Sequence, residues 1–149
     1  MRNNLKMYQK VNLESSMKAA DPHTVILMLF NGVLESISVA IGAIERKDFE
    51  IKSKSLSKAI NILRSLQHSL DKDSEPEVSK NFDVLYSYCI NKLTKAGVSL
   101  ELSDFDEVIT MIKPLRDAWK NMPEQGKQDG IVALTEKAQS SKVAQTAEL

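Results

Sequence analysis

The sequence predicts an all-α protein: an antiparallel four-helix bundle with a short N-terminal helix or arm and a disordered or weakly helical C-terminal tail. Three observations carry this expectation. Apolar residues recur at helical spacing through most of the chain, and the alternation of a half-buried strand is almost absent. Four such segments are bounded by capping or turn residues. The turns between them are short and polar, which favours antiparallel packing of consecutive helices. The expected organisation is an arm over residues 1–20, a bundle over 21–122 and a tail over 123–149.

The arm carries only a loose stripe (Leu5, Tyr8, Val11, Met17) and no strong cap, so its helix is marginal by itself. The first long helix, expected over 22–46, opens at Asp21-Pro22: the carboxylate can accept from free backbone N–H groups, and proline fits the first helical position. Ile26, Leu29, Phe30, Val33, Ile37, Ala40, Ile41 and Ile44 form one stripe, which Leu27 and Leu34 widen to roughly 160°. Val25, Met28 and Val39 lie outside even that, so this helix holds more apolar surface than one face can use. After a break at Lys47-Asp48, residues 49–70 place Phe49, Leu56, Ala59, Ile60, Leu63, Leu66 and Leu70 on a stripe of roughly 120°, with Ile51 and Ile62 together off its edge. A turn at Asp71 to Pro76, capped by Ser74 or Glu75, leads to a third helix over 76–96 with Val78, Phe82, Leu85, Tyr86, Cys89, Ile90 and Leu93 inward and Gly97 as its terminator. Ser103 with Asp106 resembles a capping box, opening a fourth helix through Phe105, Val108, Ile109, Ile112, Leu115 and Trp119, with Pro114 bending it on its outer side. Beyond Pro123 no apolar stripe is sustained.

Composition excludes several functions. Lys+Arg and Asp+Glu both number 20, so there is no electrostatic footprint for nucleic acid. A lone cysteine, Cys89, forms no internal disulfide, and the longest apolar run, Val25 to Phe30, is far short of a bilayer span, so a cytoplasmic protein without membrane insertion is expected. Catalytic readings fare no better. His23 and His68, Cys89 and the acidic residues fall at no metal-ligand spacing, and the five glycines are too scattered for a phosphate loop. His23 reads as a packing or hydrogen-bonding residue in the first turn, Cys89 as a small core residue, and Asp104, Asp106 and Glu107 as complements to a helix dipole. No active site, cofactor or metal site is expected.

The surplus apolar surface points to a partner. Ile51 and Ile62 interleave with Ser55, Ser65 and Ser69, a low-relief surface on which another helix can lie. With Tyr8, Leu27, Met28, Leu34 and Tyr88 these form the expected partner groove, and the arm around Met7 and Tyr8 is expected to cover part of it until a partner arrives. Wide stripes also suit a homodimer, so a self-associating structural bundle is the alternative, and the free protein is expected as a monomer or weak homodimer.

The residues resemble a known family. Tyr8-Gln9-Lys10-Val11-Asn12-Leu13-Glu14-Ser15, followed by Asp21-Pro22-His23-Thr24-Val25-Ile26-Leu27-Met28-Leu29-Phe30-Asn31-Gly32, looks like the N-terminal signature of the flagellar secretion chaperones called FliS. Ser57 to Leu63 with Leu66 and Ser69-Leu70-Asp71, Asn81 to Tyr88, and Asp106-Glu107-Val108 with Ala118-Trp119 are similar to its later helices. Asp21 stands where serine is usual, Ser74-Glu75-Pro76 where paired glycine is common, and Asn91-Lys92 where paired arginines are common. The resemblance implies a cytoplasmic export chaperone that binds the disordered C-terminal segment of flagellin, prevents premature polymerisation and aids delivery to the export gate. Other flagellar regulators are further partners it leaves open.

Overall fold

A computed structural model describes residues 21–122 as four helices: α1 (Pro22–Glu45), α2 (Phe49–His68), α3 (Pro76–Ser99) and α4 (Leu102–Lys120). Consecutive helices pack on each other and α4 closes the ring onto α1, so the α1/α2 side lies opposite the α3/α4 side. The expectations for the arm, including Met7 and Tyr8, and for the tail lie outside the described residues.

The start of α1 follows from its sequence: Asp21 is extended, its side chain accepts from the Thr24 N–H at 2.8 Å, and Pro22 follows. Its end is a Schellman motif. Lys47 takes the left-handed conformation (φ 60°), its N–H bonds to Ile44 O at 3.0 Å, and the Asp48 N–H reaches back to Ala43 O at 2.8 Å. Asp48 then caps α2 by accepting from the Ile51 N–H at 3.2 Å. One residue thus closes one helix and opens the next, which fixes the α1–α2 hairpin.

The core is the merged stripes. Phe30, Val33, Ile37, Leu63, Leu93, Phe105, Val108 and Ile112 are essentially inaccessible, with Tyr86 and Cys89 among them. Burial pushes the Cys89 thiol up to about 11, with Glu107 adding to the effect, and raises the Tyr86 phenol as well, as expected of packing residues. By length and composition α1 could also cross a membrane; here its inner positions are the centre of the bundle.

Several local expectations change. Gly97 does not end α3; the helix continues to Ser99 and closes on Leu100, itself left-handed at φ 61°. The glycine is needed for proximity: a Cβ there would lie 2.6 Å from Leu56 Cδ2, and Lys52 Nζ donates to Gly97 O at 2.8 Å. Ser103 is not the cap of α4. The helix starts two residues earlier than that cap implies, with Glu101 as a cap that makes no side-chain bond, and its first turn is held by buried Asp104 pairing with Lys92 at 3.4 Å. Glu75 precedes α3, likewise without a side-chain bond, and α2 ends at His68, with Leu70 buried just beyond it. Phe49 and Val78 are exposed, not inward, because they sit in first turns, where a stripe outruns its partner helix. Pro114 lies within α4 on an exposed position.

Candidate partner-binding groove

Two sequence-predicted sets come together on the α1/α2 side. Gly32 is the point of close approach, since a Cβ there would meet Ile62 Cδ1 at 3.0 Å. Met28 lies one turn before Gly32 on the same flank of α1. Along α2, Ile51, Ser55, Ile62, Ser65 and Ser69 share one flank by helical spacing, and the Gly32 contact turns that flank towards α1. Met28 and Ile62 are half-buried, while Ile51 and Val39 stay exposed at 39% and 44%. Ile62 also packs against the core. The Ser69 hydroxyl is occupied, donating to Leu66 O at 2.8 Å, whereas among the described residues no hydrogen bond is seen for the Ser55 or Ser65 hydroxyl. Next to this flank, on the outer face of α2, a shallow depression of about 560 Å³ contains Ile62 and Ser65.

The other candidates lie elsewhere. Leu27 and Leu34 fall on the flank of α1 that carries His23 and Asn31, and both pack against the core. That flank faces α4. His23 Nε2–H donates to Trp119 O at 2.7 Å, Trp119 Nε1–H donates to His23 O at 2.9 Å, and the rings stack at 5.1 Å. Two turns further on, Arg116 donates to Asn31 Oδ1 at 2.9 Å. Sequence reading identified His23 as a packing residue and Trp119 as apolar, but not their pairing; both polar ring groups were the available signal, since buried N–H groups need acceptors.

Tyr88 is on the α3/α4 side, across the bundle. Its hydroxyl donates to Glu107, which also meets Lys92 at 3.2 Å, and the Lys92 ammonium lies 5.8 Å from the Tyr88 ring. The hydrogen bond from Tyr88 and then the Lys92 charge hold Glu107 below the usual carboxylate range, while Glu107 raises both Lys92 and Tyr88. Tyr88 is exposed and Lys92 and Glu107 are half-buried, so solvent screens the network and it orients α3 against α4 more than it stabilises them. On the α2/α3 side, the Gln67 amide donates to Asp83 Oδ1 at 2.8 Å and to Ser87 Oγ at 2.7 Å.

Three of the four seams are therefore locked by directional polar bonds, and the fourth, α1/α2, carries small and apolar residues with an exposed rim. Among the described residues no group of three or more His, Cys, Asp or Glu side chains is placed to hold a metal ion. This arrangement defines a class: an all-α four-helix bundle whose polar side-chain contacts, among the described residues, serve its own architecture. The sequence matches the family model for the flagellar protein FliS over residues 3–126. It is 32% identical to the flagellar secretion chaperone FliS of Vibrio cholerae over 83% of this chain and 90% of that protein. Identity is 36% to FliSB of Pseudomonas aeruginosa over 77% of this chain and 91% of that protein, and 33% to FliS of Bacillus subtilis over 78% and 86%. The chain belongs to the FliS family of flagellar secretion chaperones.

Proposed function

We propose that the protein binds the C-terminal segment of flagellin in the cytoplasm, keeps it from polymerising prematurely and aids its delivery to the flagellar type III export apparatus, without catalysing a reaction. The observation that carries this reading is the α1/α2 seam, where exposed Val39 and Ile51 and half-buried Met28 and Ile62 flank the Gly32 approach. The names of the relatives, flagellar secretion chaperones, support the chaperone and export parts of it. A flagellin terminus carries an amphipathic stripe destined for coiled-coil packing, and a free stripe finds another flagellin. A groove with small residues along its floor admits a helix closely, and a segment that folds as it binds can extend from there to the Leu27/Leu34 flank and to Tyr88. Deletion of residues 1–10 is expected to tighten binding of the client, as removal of a segment that competes for the groove would.

Size-exclusion chromatography with and without a flagellin C-terminal peptide tests this. A one-to-one complex replacing the free species is the expected result. A dimer that ignores the peptide overturns it and favours a self-associating structural bundle.

A further inference from the structure

The outer face of α2 differs in charge from the helix beside it. α2 contains Lys52, Lys54, Lys58 and Arg64 against a single acid, Glu50, whereas α1 contains Glu35 and Glu45 and no lysine or arginine. Lys52 is committed to Gly97 O. Lys54 meets Glu50 at 3.2 Å, but both side chains are at least three-quarters exposed, and such a pair exchanges partners at little cost. Lys58 and Arg64 are exposed, with no ion pair or hydrogen bond seen for either among the described residues.

The shallow depression lies on this face. Lys54, Ser57, Lys58, Asn61 and Ser65 surround Ile62 in it, and no carboxylate lines it. Ammonium, hydroxyl and amide groups form a donor-rich rim around one apolar anchor, and short serine side chains keep the relief low. An open trough along a helix does not enclose a small molecule, but it suits a second helix lying on it. The occupant that satisfies the rim carries carboxylates.

We propose that the outer face of α2 receives an acidic helical stretch of the client, with one apolar residue seated on Ile62 and carboxylates flanking it against Lys54 and Lys58. The proposal rests on the flagellin reading and specifies which part of the client meets which helix. The acids of α1 repel the same stretch, so the client helix that enters at the seam leans onto the outer face of α2. Electrostatic matching of this kind fixes register and speeds association as well as adding affinity.

The test is calorimetric titration of the full-length protein with the flagellin C-terminal segment at low and high salt. It compares wild-type protein with the double variant K54E/K58E, and the native segment with one whose Asp and Glu are replaced by Asn and Gln. Both lysines are exposed, so circular dichroism melts of the double variant are expected to match the wild type. The double variant is expected to bind the native segment at least about tenfold more weakly, a difference that narrows as salt rises. The amidated segment is expected to bind wild type more weakly and to be indifferent to the charge reversal. An unchanged Kd for the double variant at low salt overturns the proposal and leaves flagellin binding standing. No binding of the native segment to the wild type at low salt overturns the flagellin reading itself.

Discussion

The two flanks of α1 are built on opposite principles. Towards α4, reciprocal hydrogen bonds between His23 and Trp119, their stacked rings and the Arg116–Asn31 bond leave a single fit. Towards α2, the closest approach is a glycine against an isoleucine terminus, and the rim beside it is serine, valine and isoleucine. Directional groups specify one geometry, because a buried donor that loses its acceptor costs about 1 to 3 kcal/mol. Apolar contacts specify burial without direction, and a second apolar chain can share them. On the function proposed above, the same helix serves as a fixed wall on one side and offers the docking surface on the other.

Removing the wall gives the largest expected effect. Trp119→Ala deletes a large buried side chain that also stacks on His23 and meets Phe30 edge-on, and it strands the His23 carbonyl. A loss of about 3 to 5 kcal/mol is expected in urea unfolding, with amide exchange rising first along α4 and the first turn of α1. Affinity for a flagellin peptide, measured where the variant is still folded, is expected to fall less than stability does. An equal fall in both would mean that the two flanks are not separate.

Next come substitutions on the open flank. Ile62→Asp is expected to weaken peptide binding by roughly 2 to 4 kcal/mol through lost burial and a stranded charge. Because Ile62 also packs against the core, this variant loses stability too. Exposed Ile51 separates the effects: Ile51→Asp is expected to cost about 1 to 2 kcal/mol of binding with an unchanged thermal midpoint. Full affinity in Ile51→Asp, measured by calorimetry, would remove that end of α2 from the groove.

How the two flanks were legible follows from the same contrast. Periodicity reports burial, so the stripes, the four helices and the surplus around Met28, Val39, Ile51 and Ile62 could be read directly. It says nothing about which neighbour a flank meets. Leu27 and Leu34 are grouped with Met28 in the sequence reading because apolar residues spread round α1 beyond one face, and only the His23–Trp119 contact shows that their flank faces α4. Tyr88 is grouped with them in the sequence reading but lies across the bundle, bonded to Glu107. Gly97 was misread for a physical reason: a glycine marks either a left-handed residue or a close approach, and sequence alone does not separate them. Leu100 took the first role and Gly97 the second.

Between the flanks, Cys89 supplies a pH signature of the shared core. Its thiol lies near 9.0 when solvated and is pushed up to about 11 by burial. A folded-state value above the unfolded one means that the stabilisation is complete below about pH 9 and is lost as pH rises towards about 11, by on the order of 2 kcal/mol. Buried Tyr86 moves in the same direction. Cys89→Ala is expected to show a shallower decline in urea midpoint over that window, the remainder belonging to Tyr86, Tyr88 and Lys92, which are raised as well. A decline as steep as in the wild type would place its origin outside the core.

The smallest expected effect is a null one, and it tests whether the open flank is open in the whole chain. Met122 packs against the core, so the bundle's own contacts reach the end of the described residues. Beyond it, Ile131, Val132 and Leu134 are the one short cluster of large apolar residues in residues 124–149. Their burial could not offset ordering that stretch at about 1 to 2 kcal/mol per residue. Truncation after residue 123 is expected to leave both the thermal midpoint and the affinity for a flagellin peptide within error, with no amide protection beyond Pro123 in the intact protein. A markedly lower midpoint would mean that Ile131 to Leu134 dock on the bundle. If the truncated protein then also bound the peptide more tightly, the docking place would be the α1/α2 seam, and the protein's own tail would compete with its client.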